Sequence, residues 1–262
     1  MIKTLLPLAI EAATEAGKII LKYYRKDNIT SKKIDGSPLT LADQESHLKI
    51  CKLLEKTDYK IVSEEGDDHY IDENIYWLVD PLDGTKDYLT ANDEFTVNIA
   101  LIKDCKPILG VVYAPALNEL YAGIVGLEAW QLKLGKKTII NKMKKSNKTC
   151  MAVSRFHNLA DTDIFAKTNN ISKVVSMGSA LKYARIALGE IDVYPRLVGC
   201  SEWDTAAGQA VLEAAGGYLL DWHTKMPLGY GKSNRRNGRM IAFRAPYGRN
   251  DFILQNYKPG LL

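Results

Sequence analysis

The chain has 262 residues, 46% of them apolar and 25% charged, with a formal net charge of +4. Those proportions exclude a disordered chain, and the mild charge lacks the strong basic field of a dedicated nucleic-acid binder. No apolar run reaches the roughly 18–20 residues that cross a bilayer. The apolar start is interrupted by Glu11 and Glu15 and shows no cleavage-site pattern, so it reads as mature structure. Cys51, Cys105, Cys150 and Cys200 stand about fifty residues apart. So sparse a set predicts reduced thiols and a cytoplasmic chain.

The first element is a helix over residues 4–24, where Leu5, Leu8, Ala9, Ala12, Ala16, Ile19, Ile20 and Tyr23 recur at three and four. Residues 26–39 read as an irregular hairpin or loop, with Asp35-Gly36 as a turn. A second helix covers 42–56, with Leu48, Leu53 and Leu54 on one face. The runs 60–63 (KIVS) and 75–79 (IYWLV) are short, apolar and followed by acids, which predicts buried strands whose ends deliver side chains to a cleft. Strands over 95–102, 108–113, 120–125 and 129–134 follow as an antiparallel meander.

After a lysine-rich stretch the pattern alternates. Strands are expected at 151–154, 173–176, 191–194, 217–221 and 240–244, and helices at 159–168, 179–188 and 205–215. A strand-rich part followed by an alternating part predicts two α/β subdomains, residues 1–135 and 150–262, forming one catalytic unit with the active site between them. The connecting stretch, 131–150, holds seven lysines and no acid. Together with Lys232, Arg235, Arg236 and Arg239 it reads as a solvated surface, or as attraction for an anionic substrate or an acidic lipid surface.

The stretch Asp80-Pro81-Leu82-Asp83-Gly84-Thr85 carries the most chemistry. Two carboxylates three residues apart, on a turn at a strand's end, can converge on one spot. Pro81 stiffens that turn, and Gly84 lets backbone approach a ligand. Ser63-Glu64-Glu65-Gly66 repeats the arrangement after another strand, and Asp204 stands at a helix start in Trp203-Asp204-Thr205-Ala206-Ala207-Gly208. Taken singly, Asp204 is a helix cap, Asp83-Gly84 a turn and Glu64-Glu65 a solvated loop. Together they are a set of oxygen ligands for a hard cation such as Mg2+, which removes the repulsion among them. Ser179 and Lys182 lie one helical turn apart and can face one ligand. Lys182 and Arg196 are candidates for a phosphate, with Ser154 and Arg155 near the same pocket. His47, His69, His157 and His223 have no spacing suited to zinc or to a Ser-His-Asp system.

These motifs, with Glu94-Phe-Thr-Val-Asn-Ile-Ala-Leu101, Pro107-Ile-Leu-Gly-Val-Val-Tyr-Ala-Pro115, Gly178-Ser-Ala-Leu-Lys182 and Tyr194-Pro-Arg196, resemble the inositol monophosphatase superfamily over nearly the whole chain. Within it they resemble the bacterial 3'(2'),5'-bisphosphate nucleotidase branch. Cys200-Ser201-Glu202, before Trp203, departs from the pattern of that branch. The resemblance implies an αβαβα sugar-phosphatase-like fold and a lithium-sensitive phosphatase with two or three Mg2+ ions. Glu64, Asp80 and the Leu82 carbonyl would hold one ion, and Asp80, Asp83 and Asp204 a second. Asp43 and Thr85 would orient the attacking water, with Glu65 acting through water. Glu64, Gly84, Thr85, Ser179, Lys182, Arg196 and Asp204 would contact substrate.

The activity so implied is removal of the 3'-phosphate from adenosine 3',5'-bisphosphate, and from its sulfated analogue. An inositol or sugar monophosphatase is the second reading, and a non-catalytic nucleotide or metal sensor the third. No nucleic-acid partner is expected. A monomer or homodimer, cytoplasmic or peripheral on the cytoplasmic face of the inner membrane, completes the expectation.

Overall fold

A computed structural model describes residues 2–26, 29–32, 38–66, 70–140, 148–156, 160–248 and 250–254. The expected turn at Asp35-Gly36, His69, His157 and lysines 142, 144 and 145 lie outside the described residues.

The chain opens with helix α1 (Ile2–Tyr23), whose Leu6, Ala9, Ala12, Ala13, Ala16 and Ile20 form one buried stripe. Strands β1 (Ile29–Lys32) and β2 (Pro38–Thr40) pair antiparallel. Helix α2 (Leu41–Leu54) begins in a capping box: Thr40 Oγ1 accepts from the Asp43 amide, and the Asp43 carboxylate accepts from the Thr40 amide.

Then come β3 (Lys60–Ser63), β4 (Ile75–Asp83), the short helix α3 (Thr85–Leu89), β5 (Thr96–Lys103), β6 (Lys106–Ala114), β7 (Glu119–Ile124), β8 (Glu128–Lys133) and β9 (Lys136–Ile139). These seven strands form one sheet in chain order. Only the β3–β4 pair among them is parallel.

The second part contains β10 (Cys150–Ser154), α4 (Ala160–Thr168), β11 (Lys173–Met177), α5 (Leu181–Leu188), β12 (Val193–Arg196), β13 (Cys200–Ser201), α6 (Trp203–Ala214), β14 (Tyr218–Asp221), β15 (Arg236–Asn237) and β16 (Met240–Phe243). Five of its strands make a sheet in the order β11-β10-β12-β16-β14, and β13 pairs with β15 alone.

The layers follow from the two-residue period of a strand. Trp77 and Val79 of β4 join the core under α1 and α2. Their neighbours Tyr76 and Leu78 face the other way, into the core that holds α5 and α6. Both faces are covered, which is why β4 and β5 read as continuous apolar runs. On the second sheet Ala152, Tyr194 and Ala242 meet the same middle helices. Met151, Val193, Ile241 and Phe243 pack with Phe165 of α4 and Trp222. The order α1/α2, seven strands, α5/α6, five strands, α4 is the expected αβαβα sandwich.

The middle layer joins the two parts closely. A Cβ at Gly110 of β6 would stand 2.4 Å from the Ala207 carbonyl of α6, so only glycine lets that helix rest on the strand. Strand β9 extends the first sheet into the stretch read as a connection. All four of its residues are exposed, so it has no buried face to leave an apolar alternation in the sequence. The four cysteines are free. Among the described residues no helix is long and apolar enough to cross a membrane.

Candidate active site

The two sheets and the helices between them enclose an open cleft of about 480 Å³. Glu64, Asp80, Leu82, Asp83, Gly84, Thr85, Ser179, Lys182, Arg196 and Asp204 all line it. Asp43 does not. It is wholly buried at the start of α2, where its Oδ2 accepts from the Thr40 amide at 2.7 Å and the Thr40 hydroxyl at 2.6 Å. The Thr85 hydroxyl in turn donates to the Leu82 carbonyl at 3.4 Å.

The first two acids converge through a bulge rather than through a turn beyond the strand. Strand β4 continues to Asp83, and its register against β5 runs from Asp80 opposite Asn98 to Asp83 opposite Thr96. Three steps on β4 therefore match two on β5. Residues three apart in a regular strand would face opposite sides; the extra residue returns Asp80 and Asp83 to one face.

Glu64 arrives from the parallel neighbour. Ser63 is in register with Val79, and the Glu64 amide donates to the Val79 carbonyl at 3.1 Å. That places Glu64 beside Asp80 at the carboxyl ends of β3 and β4, about 5 Å apart in backbone terms. Asp204 comes from the first turn of α6. Its Oδ2 accepts from the Ser201 amide at 3.1 Å, which ties it back to β13 instead of capping its own helix.

Asp83 is the point where both parts of the chain meet. Its Oδ2 accepts from the Ala180 amide at 2.5 Å, Asn98 Nδ2 at 3.1 Å and Thr96 Oγ1 at 3.3 Å. The Ala180 bond needs a tight turn before α5, supplied by Ser179 at φ +44°. Gly84, at φ +85°, turns the chain into α3 in a conformation that favours glycine. A Cβ there would stand 3.2 Å from that of Ser179, so Gly84 also keeps the base of the cleft open.

Electrostatics show how the acids sense one another. Burial pushes the Asp204 carboxyl up to about 7; Asp83 and then Glu64 raise it as well, against the pull of Arg196. Among the described residues no three acid, histidine or cysteine side chains are gathered into a closed ligand cluster. The four carboxylates nevertheless share one cleft, with a backbone carbonyl between two of them. An all-oxygen donor set carrying more negative charge than its neighbours balance suits a hard divalent cation. The residues fit such an ion: Glu64, Asp80, Asp83 and Asp204 by side chain and Leu82 by carbonyl.

The cations divide sharply. Lys182 is 2% exposed, and its Nζ donates to the Ser179 carbonyl at 2.7 Å and the Met177 carbonyl at 3.2 Å. Burial lowers its pKa to about 8 while Asp83 pulls the other way. Arg155 does not line the cleft but clamps the parts beneath it. Its Nε donates to Asp87 Oδ1 at 3.1 Å, and its Nη2 pairs with Glu94. Glu94 also accepts from the Gly178 amide at 2.8 Å. Asp87, whose carboxyl is raised by burial, accepts from Asn92 Nδ2 at 2.7 Å. Asp87 gave no signal in the sequence: a lone acid in a five-residue helix has no spacing to mark it. Lys86, Phe156 and Arg236 also line the cleft. Of the basic cluster Lys232, Arg235 and Arg236, whose members the sequence offers alike as further candidates for a phosphate, only Arg236 lines the cleft among the described residues.

This geometry matches a known architecture. The inositol monophosphatase family model matches residues 1–249, and the chain belongs to that family. It is 39% identical over 230 residues to the 3'(2'),5'-bisphosphate nucleotidase CysQ of Shigella flexneri, covering 84% of this chain and 91% of the relative. The CysQ of Buchnera aphidicola is 39% identical over 233 residues, covering 86% and 87%. Among solved structures, CysQ from Bacteroides thetaiotaomicron superposes with a TM-score of 0.82 at 33% identity, covering 93% of this chain and 98% of that one. The inositol monophosphatase from Anabaena superposes at 0.74 with 29% identity, covering 92% and 91%.

Proposed function

We propose that the chain is a Mg2+-dependent 3'(2'),5'-bisphosphate nucleotidase that removes the 3'-phosphate of adenosine 3',5'-bisphosphate and accepts the sulfated analogue. The observation that carries the reading is the presence, in one cleft, of four carboxylates together with the cationic side chains Lys182, Arg196 and Arg236. The acids suit metal-assisted handling of one phosphate, and the cations suit a second anion. The similarity to CysQ proteins supports the same choice. A bound Mg2+ supplies charge neutralisation for the phosphate and acidifies water at neutral pH.

The chain's own residues do the rest. Glu64, Asp80, Asp83 and Asp204, with the Leu82 carbonyl, hold the cation and so fix the phosphate's place. The bulge and the Ala180–Asp83 bond set that geometry in advance, so little reorganisation remains for the transition state. Gly84 and Thr85 form the base on which the phosphate sits. The Thr85 hydroxyl would orient the attacking water, taking its proton as it passes its own to Asp43. Because phosphoryl transfer proceeds through a loose transition state, positioning and electrostatics supply most of the rate.

Phosphate release from adenosine 3',5'-bisphosphate, its sulfated analogue, inositol 1-phosphate and fructose 1,6-bisphosphate, with Mg2+ and with excess chelator, tests the proposal. The two nucleotides are expected to lead, and the chelator to stop turnover. Preference for inositol 1-phosphate would replace the reading with a monophosphatase; no release from any substrate would leave a sensor.

A further inference from the structure

A substrate with two phosphates needs a second anion site, and most of the basic residues near the cleft are already engaged. Lys182 is buried against the carbonyls of Ser179 and Met177. Lys232 pairs with the fully buried Glu202 at 2.9 Å and donates to Asn237 Oδ1 at 2.8 Å. Arg235 faces the same Glu202 at 3.6 Å, and Arg155 is held by Asp87 and Glu94. A cation matched by a protein carboxylate offers little net charge to a ligand.

Arg196 and Arg236 differ. Both line the cleft, and among the described residues neither pairs with an acid within ion-pair distance. Arg236 lies on β15 in register with Ser201, and its Nη1 donates to Ser201 Oγ at 3.2 Å. It is therefore fixed to the two-residue strand whose Ser201 amide holds Asp204. Arg196 ends β12. Its Nη1 donates to the Tyr194 hydroxyl at 3.3 Å, and its buried Nε has no hydrogen-bond partner. Cys200, Ser201 and Asp204 line the same cleft as both guanidiniums, and the β13–β15 register sets Arg236 opposite Ser201, the residue next to Cys200. Two anchored forks there match a phosphate better than one point charge. Lys86, which lines the cleft with Lys182 and these two arginines, is exposed and stands 6.0 Å from the centre of the Phe156 ring, with no hydrogen bond among the described residues to anchor it.

We infer that Arg236 reads the second phosphate of the substrate, with Arg196 as its partner across Cys200, and that this pair rather than Lys182 sets the preference for a bisphosphate. The inference rests on the nucleotidase reading above. Arg236→Ala, Arg236→Lys and Lys86→Ala test it against two substrates, adenosine 3',5'-bisphosphate and adenosine 3'-monophosphate. The two share the scissile phosphate and differ in the second one.

The ratio of kcat/KM between them is expected to fall about 10- to 100-fold in Arg236→Ala, the scale of a charge-assisted hydrogen bond. Arg236→Lys should recover part of it, and thermal melting should show all three variants folded. An unchanged ratio in Arg236→Ala, an equal loss on both substrates, or collapse of the ratio in Lys86→Ala instead would overturn the assignment. A wild type that hydrolyses neither nucleotide sinks the nucleotidase reading itself, and the inference with it. A wild type active on both without preference sinks the inference alone.

Discussion

The acids of the cleft and its cations are built on different principles. Asp80, Asp83 and Glu64 come from the ends of two adjacent strands, and their positions follow from a local bulge and one parallel register. Arg196, Lys182 and Arg236 come from the second part of the chain, and each is defined by what it touches. Lys232, Arg235 and Arg236 lie within five residues of one another. Two are engaged by Glu202, while Arg236 faces the cleft without an acid partner. A carboxylate cluster is thus a property of motifs, whereas an available cation is a property of the carboxylates left around it.

The largest expected effect tests the acid side of this contrast. Asp80→Asn keeps an oxygen for the Leu82 amide, which now donates to Asp80 Oδ1 at 3.1 Å, but removes one charge from the proposed metal site. Turnover should fall to background at saturating Mg2+. The melting temperature should hold or rise, because the variant relieves repulsion among carboxylates. A folded variant with near-normal turnover would remove Asp80 from the metal site.

Thr85→Val comes next. Loss of the hydroxyl should cost roughly 10²–10⁴-fold in kcat with little change in substrate affinity, the scale of a lost general-base contact. Asp43→Asn should slow turnover as well. It should also lower stability by about 0.5–2 kcal/mol, since Asp43 accepts two bonds from Thr40 at the head of α2. The double variant should lose much less than the product of the two catalytic losses if both act on one water. Multiplicative losses would separate them.

Two further variants address how the parts are joined. Gly110→Ala drives a methyl to 2.4 Å from the Ala207 carbonyl. It should lower unfolding free energy by about 1–3 kcal/mol or more, the range of core overpacking, read by urea denaturation. Leu134→Ser, at the 78% exposed tip of the β8–β9 hairpin, should change it by less than about 0.5 kcal/mol. A large loss there would show that the hairpin is covered in solution.

Much of the sandwich could be read from residue order, because burial on both faces leaves long apolar runs and helices leave a 3.6-residue period. α1, α2, the strands of the meander and the alternating second part all carried such marks, as did the acids of the Asp80–Thr85 stretch, Glu64 and Asp204. β9, β13 and β15 carried none: the first is a fully exposed edge and the other two are two residues long. Local composition therefore determined the layers and the carboxylates, since both depend on neighbours a few residues away. Only the tertiary structure decided that a one-residue bulge turns Asp80 and Asp83 to one face and that Asp87 and Glu94 engage Arg155. The burial of Lys182 and the open guanidinium of Arg236 were settled there too. The reason is physical: a cation's availability depends on the charges and carbonyls folded around it, and those come from residues tens of positions away.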